Sequence, residues 1–136
     1  MGRKFSRVLG ITWGAKTSAS FNFFRCMFYI YILYSTGYDR YYVGHTDDVM
    51  RRLYEHNHPE VNTKFTSKYL PWELKLSFSI TTKRGEAIRV EKFIKNQKSR
   101  IFLEKLISEK GSEDYYAKLV NNILNEAVRA IPRTRD

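Results

Sequence analysis

Between residues 28 and 34 the chain shows no alternation: Phe28-Tyr29-Ile30-Tyr31-Ile32-Leu33-Tyr34 is aromatic, β-branched or aliphatic throughout. A run this short and this apolar predicts a strand buried on both faces rather than a helix. Ser35-Thr36-Gly37-Tyr38-Asp39-Arg40 supplies turn chemistry, and Tyr41-Tyr42-Val43-Gly44 returns as the second strand of a β-hairpin, with Gly44 as its exit. Trp72 to Thr81 does alternate. It places Trp72, Leu74, Leu76, Phe78 and Ile80 on one side and predicts a third strand, half buried.

Elsewhere the apolar spacing changes to three and four. Val49, Met50, Leu53 and Tyr54 mark a helix capped by Thr46 or Asp47 and running to about His56. Ala87, Val90, Phe93 and Ile94 mark a second over roughly 84–97, and Ile101, Phe102, Leu103, Leu106 and Ile107 a third over 98–108. After the break at Gly111-Ser112, Leu119, Val120, Ile123, Leu124, Ala127 and Val128 mark a fourth, from Tyr115 to Ala130, which Pro132 is expected to end. Residues 57–71 form a polar, basic loop containing Asn57, Pro59, Asn62, Ser67 and Pro71. The order β-β-α-β-α-α-α predicts an α+β fold: a small three-stranded antiparallel sheet flanked by helices, with an extra C-terminal helix.

Length and composition fit one domain: 136 residues, 43% of them hydrophobic and 28% charged. The lone Cys26 excludes an internal disulfide and a multi-cysteine zinc site. No apolar run approaches the roughly 18 residues of a membrane span. The formal net charge of +10 excludes an acidic solvating chain and makes a polyanion, nucleic acid first, the leading partner. Half of that charge sits in residues 1–26, which hold five basic residues and no acid; residues 27–108 carry +5 and residues 109–136 none. Residues 1–26 lack sustained periodicity and read as a basic leader, disordered or upstream of the true start. Transit-peptide-like and myristoylation-like features compete with that reading. The functional domain is expected over 27–108, followed by a helical extension over 109–136.

A few residues carry chemistry. Arg52 and His56, four apart, are expected on one helix face, away from Val49 and Leu53; a solvated face is the ordinary reading. Glu91 falls at the margin of an apolar stripe, where it either pairs with Lys95 at i+4 or aims a carboxylate into a cleft at a hard divalent cation. Tyr31 and Tyr42 lie on the two strands of one hairpin, where they either pack or converge. Lys64, Lys68, Arg84 and Lys95 are candidate phosphate contacts, and Tyr41, Tyr69 and Trp72 are candidate stacking partners.

Taken together, Tyr29-Ile30-Tyr31, ten intervening residues and then Tyr42-Val43-Gly44 resemble the paired motifs that name the GIY-YIG nuclease family. Tyr29 stands where the first motif has Gly, and Val43 where the second has Ile. The resemblance continues through Arg52, His56 and Glu91, covers about residues 28–107, and is closest to the small stand-alone bacterial members. It implies an endonuclease hydrolysing DNA with one divalent metal, Mg²⁺ or alternatively Mn²⁺, in a cytoplasmic setting of DNA repair or recombination. By the same resemblance Glu91 would hold the metal, Tyr31 would orient or deprotonate the attacking water, and Tyr42 would hydrogen-bond nearby. Arg52 would offset charge on the transition state, and His56 would help place the water or the phosphate. All five are expected to line one cleft. Two other readings stand beside it: a catalytically weak nucleic-acid-binding module of the same fold, and a helix over 112–130 that recruits a partner.

Overall fold

The computed structural model describes residues 27–61 and 65–133. The leader and Lys64 therefore lie outside the described residues. Strands β1 (Phe28–Ser35) and β2 (Arg40–Thr46) form the hairpin, and helix α1 (Val49–Asn57) follows. A 3₁₀ turn (Phe65–Tyr69) leads to β3 (Glu73–Thr81), then to α2 (Arg84–Asn96), α3 (Arg100–Ser108) and α4 (Glu113–Arg133). The sheet is antiparallel throughout, in the order β2-β1-β3. This is the predicted α+β architecture, and it explains the unbroken apolar run: β1 is the central strand and both of its faces are covered.

One face of the sheet carries Ile30, Ile32, Val43, Leu76 and Phe78 against Val90 and Ile94 of α2, Leu106 of α3 and Tyr116, Val120 and Ile123 of α4. The α4 stripe as far as Leu124 is thus packed into the domain core, which weakens the motivation for a recruiting helix. The side chains of Ala127 and Val128 lie outside those described. The other face carries Tyr31, Leu33 and Trp72, with Tyr42, Val49, Leu53, Tyr69, Leu70 and Leu74 packed around them.

Four expectations need correction. Trp72 and Leu74 do not share a face with Leu76, Phe78 and Ile80. The register shifts between Ile32 and Leu33, which pair with Leu76 and Leu74, so one extra residue of β3 flips everything before it to the α1 side. Helix α1 is turned relative to its apolar pattern. Met50 (65% exposed) and Tyr54 (54%) face solvent, while His56 is buried beside Leu53 and Val49. At 3.6 residues per turn, positions 49, 52, 53 and 56 form one stripe, so Arg52 and His56 lie with Val49 and Leu53 rather than away from them. The cap of α1 is Asp48, whose side chain accepts from the Arg51 N–H, with Thr46 Oγ1 accepting from the Asp48 N–H. Finally, α4 runs through Pro132 to Arg133. A proline removes one ladder bond, and the remaining peptide groups of a 21-residue helix still hold.

No helix among the described residues is long and apolar enough to cross a membrane.

Candidate functional site

Tyr31 faces Gly44 across the β1–β2 ladder. A Cβ on Gly44 would stand 2.5 Å from the Tyr31 hydroxyl oxygen and 2.7 Å from Cζ, so the phenol occupies the space that a side chain there would need. The glycine that ends the second motif is therefore a steric requirement of the tyrosine in the first.

The Tyr31 hydroxyl lies 2.9 Å from Nε2 of His56, and Nδ1 of His56 lies 2.9 Å from Thr66 Oγ1. Tyr31 and His56 are each 1% exposed. Tyr42 closes the group, its ring centroid 4.8 Å from that of His56 and 6.2 Å from that of Tyr31. Burial, then the neighbouring Tyr42, raise the Tyr31 pKa well above that of a free phenol, and the charge and hydrogen bonding of Arg52 only partly offset them. Burial, reinforced by the Arg52 charge, pulls His56 down to about 4. At neutral pH the pair is therefore an uncharged phenol against an uncharged imidazole. Burial works against the charge on Arg52, yet hydrogen bonding to Glu55 and the influence of Tyr31 prevail and raise its pKa, so it stays a cation. His56 is enclosed, with both ring nitrogens against hydroxyls, Nε2 at Tyr31 and Nδ1 at Thr66.

Glu91 approaches from the opposite side of the sheet. Alternation along β2 turns Tyr42 and Gly44 toward α1, and Tyr41, Val43 and His45 toward α2. Nδ1 of His45 makes a very short contact to Glu91 Oε1, and Lys95 Nζ sits 2.6 Å from Glu91 Oε2. The i+4 pairing with Lys95 foreseen as the ordinary reading is thus present. The same ammonium lies 5.5 Å from the Tyr42 ring centroid. Lys95 therefore links the two halves around the edge strand. It borders both a cavity of about 260 Å³ shared with Tyr41, Tyr42, Lys98 and Ser99 and one of about 250 Å³ shared with His45 and Glu91. Tyr31, Tyr42 and His56 share one face of the sheet, with Arg52 on the helix stripe turned to it. Glu91 lies on the other face with His45 and Lys95, and only its negative charge, the smallest contribution to the rise in the Tyr31 pKa, is felt across the edge. The five residues therefore do not line one cleft as expected: four lie on the α1 side of the sheet and Glu91 on the α2 side, astride β2.

The donor set suits a hard divalent cation. Glu91 is a largely buried carboxylate bordering an open cavity, and one of its oxygens already holds a cation, the Lys95 ammonium. Among the described residues no group of three or more His, Cys, Asp and Glu side chains converges. A single carboxylate, with water and substrate phosphate completing the shell, is the pattern that Mg²⁺ accepts.

The candidate phosphate contacts do not form one patch. Arg84 stands over the Phe28 ring, 4.9 Å from its centroid, at the start of β1. Lys68 adjoins Tyr69, which meets Tyr38 and Arg40 at the hairpin end. The two positions bracket a strand about 23 Å long, with Lys95 beside the edge between them.

No site role was read in the sequence for His45, Thr66 or Asn57. Alternation on β2 held a signal for His45. Nothing local marked Thr66, which meets His56 from another element, or Asn57, whose carboxamide clasps both backbone groups of Trp72, at 3.0 Å to its oxygen and 2.6 Å to its nitrogen.

A family model described as the GIY-YIG catalytic domain matches residues 27–105. No curated protein and no solved structure matches the chain.

Proposed function

The chain belongs to the GIY-YIG family, which implies nuclease chemistry on nucleic acid, and on that premise we propose that it is a metal-dependent endonuclease hydrolysing DNA phosphodiester bonds. The observation that carries this reading is the 2.9 Å contact between the Tyr31 hydroxyl and His56 Nε2, with Tyr42 and the Arg52 cation beside it and Glu91 across the edge strand. Its setting, cytoplasmic and in DNA repair or recombination, is the part of the proposal that rests on family analogy alone.

A buried, uncharged phenol is a poor standing base, since no phenolate is present at neutral pH. Paired with His56, it can pass a proton along. Water bound to the Tyr31 oxygen gives up a proton as its oxygen attacks phosphorus. Tyr31 passes its own proton to His56 Nε2 only transiently, and the bond from phosphorus to the 3′ oxygen breaks. The 3′ oxygen leaves as an alkoxide that takes a proton from solvent, while the imidazolium, disfavoured by burial, gives its own up. No free phenolate forms at any point. Arg52 turns its donors to the non-bridging oxygens, where planar bidentate contact and full charge favour the transition state by about 3 kcal/mol. Glu91 would hold the metal, which supplies charge stabilisation at the phosphate and the leaving oxygen. The net +5 of residues 27–108 holds flanking phosphates without sequence preference.

The test is the purified chain with Mg²⁺ or Mn²⁺ on supercoiled, branched and single-stranded DNA and on RNA. Glu91→Gln and Arg52→Ala are expected to lose cleavage by at least about a hundredfold. Undiminished cutting in either variant sinks the assigned site.

A second reading, a binding module without useful catalysis, is favoured by the engagement of both Glu91 oxygens with His45 and Lys95. Salt-dependent binding with no cutting across that panel supports it, and metal-dependent turnover ends it.

A further inference from the structure

We propose that Thr66 is a positioning residue whose hydroxyl holds His56 in the tautomer that leaves Nε2 free to accept the Tyr31 proton. The inference rests on the proposed function only for its catalytic consequence; the tautomer itself does not depend on it.

Consider the phenolic oxygen. Arg52 faces it and can only donate. If Nε2 of His56 also carried hydrogen, it too would donate to that oxygen, and the Tyr31 proton would lose the acceptor that lies 2.9 Å away. With Nε2 unprotonated, the phenol donates to it and every group is satisfied. A neutral imidazole then carries its hydrogen on Nδ1, and the atom placed to accept it is Thr66 Oγ1, 2.9 Å away. Thr66 is itself buried. Which nitrogen of a histidine bears the proton is set by the hydrogen bond of the other, and the Thr66 hydroxyl, accepting at Nδ1, completes the tautomer in which Nε2 accepts from Tyr31.

The hydroxyl is held in place by a chain of its own. The Thr66 carbonyl accepts from the Trp72 indole N–H at 2.8 Å. Trp72 is buried, and its backbone is clasped on both sides by Asn57, the last residue of α1 and the neighbour of His56. The loop after α1 thus returns to the helix end and is locked there. Its product is one oxygen at the back of His56.

The test reads the tautomer directly, by long-range ¹H–¹⁵N correlation of the imidazoles at pH 7. The chain has 3 histidines, and His56→Gln identifies the His56 signals by their loss. Expected are a protonated Nδ1 and an unprotonated Nε2 in the wild type and in Thr66→Ser, and a shift toward protonated Nε2 in Thr66→Val. In cleavage assays Thr66→Val is expected to lower kcat by about ten- to a hundredfold at unchanged KM, with Thr66→Ser restoring it. A wild type protonated at Nε2 overturns the proposal whatever the variants do. So does a folded Thr66→Val that keeps the wild-type tautomer. A chain that shows the expected tautomers but cuts nothing refutes the nuclease reading and leaves the positioning role standing.

Discussion

The hydroxyl of Tyr31 lies where a side chain on Gly44 would begin: a Cβ there would meet it at 2.5 Å and Cζ at 2.7 Å. Both atoms are held, because Tyr31 is buried on the central strand and Gly44 is hydrogen-bonded into the ladder opposite. Gly44→Ala must therefore move the phenol or part the strands. We expect a loss of about 1–3 kcal/mol in chemical denaturation, the usual cost of overpacking, together with at least a tenfold loss of cleavage. Wild-type values for both would mean that the ring is not held against this strand.

His56 makes stability depend on pH in a defined window. Its folded pKa, about 4, lies below the 6.5 of a free imidazole. Above pH 6.5 neither the folded nor the unfolded chain carries this proton and the full contribution is present. As pH falls from 6.5 toward 4 the unfolded chain binds a proton that the native site refuses, so stability drops, by roughly 3 kcal/mol in all. Below about 4 this term levels off. Urea titrations across that range should show the fall in the wild type and a flatter profile in His56→Gln.

Lys95 and a divalent cation want the same carboxylate. The ammonium sits on Glu91 Oε2 at 2.6 Å, as a half-exposed ion pair of the kind worth about 1 kcal/mol. Lys95→Met is expected to tighten Mn²⁺ binding about threefold to fivefold, and Glu91→Gln to abolish it, in calorimetric titrations without nucleic acid. Weaker Mn²⁺ binding in Lys95→Met would show that the ammonium supports the cation site instead of competing for it.

Asn57 is expected to matter more than a polar residue at a helix end should. Its carboxamide satisfies both the N–H and the C=O of Trp72, and Asn57→Ala leaves the two without partners beside a buried indole. The expected cost is about 2 kcal/mol in the urea midpoint. His56 signals should broaden as Thr66 loses its fixed position. An unchanged midpoint would mean that water replaces the clasp without penalty.

Much of the fold was legible along the chain. The apolar run of β1, the spacing of α2 to α4 and the break at Gly111 are local signals, and their elements are present within a few residues of where they were read. The candidate set could be named there as well, because two Tyr-bearing strands, an Arg and His four apart and a marginal Glu stand in order along the chain. Two errors share one cause. Met50 and Tyr54 looked like core and lie outside; Arg52 and His56 looked solvated, yet they share the inward stripe of α1 and His56 is buried. A single residue inserted in β3 likewise moved Trp72 and Leu74 to the other face.

The sequence by itself determined the elements and offered the candidate side chains, since strand and helix periods, turns and breaks depend on near neighbours. Only the tertiary structure decided which face of α1 turns inward and what His56 touches. Burying an imidazole is tolerable when both nitrogens have partners, and these come from 25 residues before it, at Tyr31, and 10 after, at Thr66. No local pattern carries that information, because the cost of burial is cancelled by atoms that the fold alone brings together.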